Sequence, residues 1–93
     1  MVIKGQIKMV GATVQVSEKF SKRELVITIT DEMYPQDVLV QFTQDKCALL
    51  DGIDFGIGQV VEVSINLQGR EWTSPTGEVK YFNTLNGWKI EVA

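Results

Sequence analysis

Val38-Leu39-Val40-Gln41-Phe42-Thr43-Gln44-Asp45-Lys46-Cys47-Ala48-Leu49-Leu50-Asp51-Gly52 changes its periodicity half-way along. As far as Thr43, apolar and polar side chains alternate every second residue. That places Val38, Val40 and Phe42 on the inward face of a strand and Leu39 and Gln41 on the outward one. After Thr43 the alternation stops. Thr43 or Asp45 can cap a short helical turn through Cys47-Ala48-Leu49-Leu50, and Asp51-Gly52 would stop it. A strand that runs into one short helix is the punctuation that decides between the small barrels open to a chain of this size.

On either side of this stretch two-residue alternation dominates, and five strands are expected. The first covers residues 3–16 and is interrupted at Gly11, where a bend or bulge is expected. The second covers 22–30, with Leu25, Ile27 and Ile29 on one face and Lys22, Glu24, Val26 and Thr28 on the other. Asp31-Glu32-Met33-Tyr34-Pro35 carries loop signals, and the third strand follows at 36–43. Gly56-Ile57-Gly58-Gln59 breaks the chain before the fourth strand, 60–68, in which Val61, Val63, Ile65 and Leu67 share a face. The fifth covers 80–92, and Asn86-Gly87 within it is read as a bulge. Three strands, a short helix and two strands is the order of a five-stranded Greek-key OB-fold barrel, with the helix between strands three and four. An SH3-type barrel lacks that helix. The binding face of such a barrel lies on strands two and three, framed here by loops at 17–21 and 72–79.

Ninety-three residues, 44% of them apolar, form one domain spanning 1–93. No apolar run approaches the ~20 residues that cross a bilayer. Met1-Val2-Ile3-Lys4-Gly5 does not read as a secretory leader, and a lone Cys47 fits a reducing compartment, so a cytoplasmic location is expected. Histidine is absent, which removes the commonest general base and neutral metal ligand. Cys47 offers no zinc set, no phosphate-cradling glycine loop is present, and the carboxylates form no paired motif. No enzyme, metal or cofactor is expected. Cys47 itself reads as helix packing.

The net charge of −3 weighs against a nucleic-acid partner, but the charge is unevenly spread. Residues 1–30 hold five cations and two anions, 31–62 hold one cation and seven anions, and 63–93 hold three of each. Two electrically different sides are expected.

Aromatic rings interleaved with cations are what stack bases and hold phosphates, and they gather around the two expected loops. Lys19, Phe20, Lys22 and Arg23 surround the first. Arg70, Trp72, Lys80, Tyr81 and Phe82 surround the second. Trp72 reads equally as a stacking platform or as a lid on the barrel end. Trp88 shares a face with Ile90 and Val92 and is assigned to the core. Tyr81 and Phe82 point to opposite faces, so one is expected in the core and the other against bases; a one-residue slip exchanges them. Val26 and Leu39, outward on strands two and three, could meet bases or another subunit.

The runs Ser21-Lys22-Arg23-Glu24-Leu25-Val26-Ile27, Tyr34-Pro35-Gln36, Gly69-Arg70-Glu71-Trp72 and Tyr81-Phe82-Asn83-Thr84, with Trp88, resemble a family of short bacterial domains of unknown function. That family, domain of unknown function 3127, is related in fold to single-stranded DNA-binding proteins. The resemblance covers nearly the whole chain and implies an OB barrel that binds single-stranded nucleic acid; the family carries no established catalytic residues. Residues and resemblance together lead to the expectation of a non-enzymatic protein that binds single-stranded DNA, with RNA left open, and with little sequence preference. The alternative is an assembly module that uses the same barrel face for another chain, a second copy included.

Overall fold

The computed structural model describes residues 1–30, 33–51 and 56–93. The expected loop residues Asp31 and Glu32 and the expected helix stop at Gly52 lie outside the described residues. Six strands form in the order β1 (Val2–Val10), β2 (Val14–Ser17), β3 (Phe20–Ile29), β4 (Gln36–Thr43), β5 (Val60–Thr73) and β6 (Val79–Val92), with a 3-10 helix, Gln44–Asp51, between β4 and β5. β1 and β2 are the expected long first strand, divided at Gly11, whose N–H instead donates to the Glu24 carbonyl at 2.8 Å.

Antiparallel ladders join β5 to β1, β1 to β3, β3 to β4 and β5 to β6, while β4 meets β6 in parallel at Gln41 and Asn86. The strands therefore close into a ring, which is the expected OB barrel. β1 serves two neighbours. Its first residues pair with β5 from Val2 to Gln6, and Gln6 to Val10 pair with β3 across a bulge between Ile7 and Met9. A bulge raises local twist and lets one strand turn a barrel corner.

Inward positions follow the alternation. Ile7, Leu25, Ile27, Val40, Phe42, Val61, Val63 and Ile65 are fully buried together with Leu50 of the helix. Each such side chain contributes about 1.5–3 kcal/mol on burial. Cys47 and Leu50, three residues apart, fall on one side of a 3-10 helix and are its buried residues. The helix thus covers one end of the barrel, as the reading of Cys47 expected.

Arg23 holds that end in place. It lies opposite Phe42, at the barrel's inward side, and its side chain is only 16% exposed. Its Nε donates to the Gly11 carbonyl at 2.7 Å, and a terminal nitrogen reaches the Cys47 carbonyl at 3.4 Å and the Asp51 carboxylate at 2.5 Å. One guanidinium joins the break between β1 and β2 to the helix.

The register of β5 and β6 shifts between Ser64 and Ile65, beside the Asn86-Gly87 position read as a bulge. Ile65 faces Gly87 and Ser64 faces Lys89, so Trp88 is the unpaired extra residue. A Cβ on Gly87 would collide with the Phe42 ring, which is why glycine stands there. The bulge also corrects the assignment of Trp88. Strict alternation would bury it with Ile90, but the extra residue carries it out of phase, and it is 47% exposed.

Candidate nucleic-acid interface

β5 and β6 outrun the barrel. β1 leaves β5 at Ser64 and β4 touches β6 at Asn86, yet β5 and β6 stay paired through Thr73 and Val79. Seven residue pairs, from Leu67–Leu85 to Thr73–Val79, form a two-stranded arm that helps stretch the molecule to 45 Å. The expected loop at 72–79 is therefore shorter. Trp72 is paired with Lys80 inside the ladder, and only the tip turns. There Gly77 N–H donates to the Ser74 carbonyl at 3.0 Å, and Ser74 N–H to the Glu78 carbonyl at 2.8 Å. Pro75 supplies the preset φ of a turn, and Gly77 takes the positive φ of 91° that closes a three-residue hairpin loop.

Residues directly opposite in an antiparallel ladder project to the same side. Leu67 and Leu85 continue the inward side, since Leu85 packs on the core. The other side continues the barrel's exterior and carries Gln68–Thr84, Arg70–Phe82 and Trp72–Lys80 as cross-strand pairs. Two rings and two cations thus alternate on one face with no acid at its paired positions; Glu71 lies on the opposite face, across from Tyr81. Neither Tyr81 nor Phe82 is in the core. They are 73% and 52% exposed because no strand or helix among the described residues pairs across the arm there, and of the two only Phe82 shares the face of Trp72, itself 45% exposed.

Phe20, expected in a loop, is the first residue of β3, because the β2–β3 turn is reduced to Glu18 and Lys19. It is half-buried and projects outward with Lys22, which pairs with Thr43. Beside the arm a groove of about 520 Å³ brings Phe20 and Arg70 together, with Gln41 and Thr43 of β4 and with Gln68, Thr84 and Asn86 of the β5–β6 ladder. Sequence reasoning gathered Phe20 and Arg70 as separate loop clusters and missed the amides. Their signal was the polar phase of the alternation, read only as solvent-facing.

Of the nine residues picked from the sequence, Arg70, Trp72, Lys80 and Phe82 share the arm's outer face, and Phe20 joins them through the groove. Lys22 lies on the adjoining exterior of β3, and Lys19 is exposed at the turn, its carbonyl accepting a 2.7 Å bond from Gln44. Tyr81 is on the arm's other face. Arg23 is apart from all of them, committed to the tether. Lys8 is engaged at 2.7 Å by Asp37, which also accepts from the Thr28 hydroxyl at 2.8 Å. The bond from Lys8, first, and that from Thr28 hold the Asp37 carboxyl below its ordinary value. Among the described residues no three His, Cys, Asp or Glu side chains are grouped as a metal would need.

Two solved structures of Rim1, a mitochondrial single-stranded DNA-binding protein from S. cerevisiae, are similar to this chain. One superimposes with a TM-score of 0.72 and the other with 0.61, both at 14% identity. Each covers 99% of this chain, and 91% and 90% of Rim1 respectively. At that identity the likeness is one of fold. No curated protein matches the sequence. The model of the family described as Domain of unknown function (DUF3127) matches residues 2–91, and the chain belongs to that family.

Proposed function

We propose that this protein is a non-enzymatic cytoplasmic OB barrel that binds single-stranded DNA along the outer face of the β5–β6 arm and the adjoining exterior of β3. Trp72, Phe82 and Phe20 stack bases, while Arg70, Lys80, Lys22 and Lys19 hold the backbone. The observation that carries the reading is the register of the arm, which sets Arg70 opposite Phe82 and Trp72 opposite Lys80 on one exposed face with no acid at those paired positions. Stacking on an exposed ring contributes about 1–3 kcal/mol per base, whatever the base. Likeness to the Rim1 barrel supports the same reading at the level of fold.

Tryptophan fluorescence tests it. A Trp88→Phe variant leaves Trp72 as the reporter, and oligo-dT is expected to quench it, duplex DNA much less, with affinity falling as salt rises. Absence of salt-dependent binding to both single-stranded DNA and RNA overturns the proposal. A second reading, assembly with another chain, is favoured by the arm's other face, where Leu67, Val79 and Tyr81 are exposed around Glu71. Sedimentation of wild type beside Leu67→Ser/Tyr81→Ser separates the two: only assembly through that face makes the variant lighter.

A further inference from the structure

Stacking and phosphate contacts treat every base alike, but the groove beside the arm is built differently. Its walls hold the ring of Phe20, the amides of Gln41, Gln68 and Asn86, and the hydroxyls of Thr43 and Thr84, with Arg70 alongside and no carboxylate among the described lining residues. Gln41, Thr43, Thr84 and Asn86 are each half-buried. None of the side-chain hydrogen bonds found among the described residues involves these amides or hydroxyls. A phosphate offers only acceptors and is best met by Lys or Arg. An amide or hydroxyl offers a donor and an acceptor together, which is the complement of a base edge. Unspent pairs of this kind, lining one concavity beside an aromatic ring, are a means of reading a base rather than holding a backbone.

Resting on the single-strand reading, we propose that this groove is a base-reading subsite that takes one purine of the bound strand, stacked against Phe20 with its edge on Gln41, Gln68 and Asn86. The purine choice follows from the wall chemistry. A planar amide meets the N6–H and N7 pair of adenine, and its N–H can donate to O6 or N7 of guanine. Cytosine N4 is best met by a carboxylate, and none is found among the described residues that line the groove. The arm supplies general affinity, and the groove sets which base lies beside it.

The test compares two labelled oligonucleotides, dT12 and dT12 with one central dA, by fluorescence anisotropy at one salt concentration. A single purine suffices because the protein can choose its register on the strand. The dA oligonucleotide is expected to bind about tenfold tighter, the scale of one good bidentate contact. In Gln41→Leu/Gln68→Leu the two affinities are expected to converge. Because the readout is their ratio, a general loss of folded protein does not imitate the effect, and Gln68→Leu alone, at an exposed position, repeats the test with less risk to the barrel. Equal wild-type affinities overturn the subsite and leave the single-strand reading standing. An advantage that survives in both variants also overturns it, as does a folded double variant that binds neither oligonucleotide. Failure of wild type to bind either one overturns subsite and single-strand reading together.

Discussion

Arg70 and Trp72 project from the same face of the arm, two residues apart, yet their removal should leave different signatures. Releasing condensed counterions from single-stranded DNA gives log K against log salt a slope of about −0.7 per phosphate neutralised. If Lys19, Lys22, Arg70 and Lys80 each neutralise one phosphate, the slope is about −2.8, and affinity falls about 50-fold between 50 and 200 mM salt. Arg70→Ala should reduce the slope to about −2.1 and the fall to about 20-fold. Trp72→Ala removes a stacking platform worth about 1–3 kcal/mol, so it should weaken binding about 5- to 150-fold at every salt concentration and leave the slope unchanged. Both side chains lie beyond the packed barrel, so neither change should move the melting temperature appreciably. Anisotropy of labelled dT12 across four salt concentrations measures slope and intercept together. The reasoning is refuted if Arg70→Ala keeps the wild-type slope, or if Trp72→Ala changes the slope without lowering affinity.

Arg23→Ala removes a mostly buried guanidinium that holds Gly11, Cys47 and Asp51 together; it should cost about 2 kcal/mol and lower the melting temperature by roughly 8–16 °C. The folded variant should keep the wild-type salt slope, and a reduced slope would return Arg23 to the binding surface. Gly87→Ala drives a methyl group into the Phe42 ring and should cost about 1–3 kcal/mol in urea unfolding, part of which Phe42→Leu should restore in the double variant. For Asp37 the folded carboxyl titrates below its ordinary 3.8, so it favours the folded state above that pH and loses the effect as pH falls through the folded value. Asp37→Asn should therefore lose less stability than wild type between pH 6 and pH 3, and parallel losses would show that the Lys8 and Thr28 bonds do not act on folding.

What could be read from the chain was what one strand decides for itself. The inward set Leu25, Ile27, Val38, Val40 and Phe42, the switch from strand to helix after Thr43, and the bulge beside Gly87 all reflect local spacing, and all hold. What could not be read depends on where neighbours stop. Leu67 and Val79 alternate as Val61 and Val63 do, but pairing to β1 stops at Ser64 and pairing to β4 at Asn86, so an inward phase meets solvent. Trp88 was misplaced because one extra residue in β6 reverses the phase behind it. Arg23 carries the same charge as Lys22 and stands beside it. Alternation along β3 points Arg23 inward with Leu25 and leaves Lys22 outside, but that Arg23 becomes a tether depends on the helix returning to the barrel end more than twenty residues later.

The same arm bears on how a chain of net charge −3 can hold a polyanion. Seven residue pairs of strand span about 20 Å, the first of them beside β4 and the last well beyond it. At 0.1 M salt the Debye length is about 10 Å, so Trp72 and Lys80, ten residues of β5 (about 33 Å) beyond Glu62, are screened from that carboxylate. The arm's own charges are Arg70 and Lys80 on the outer face with the rings, Glu71 on the reverse with Tyr81, and Glu78 opposite Ser74 at the turn. Whole-chain charge is a poor guide here because it sums groups that a bound strand would not feel together. Shortening the arm would draw its cations back towards the barrel's acids and expose the strand to both, so the length of the ribbon is itself part of the electrostatics.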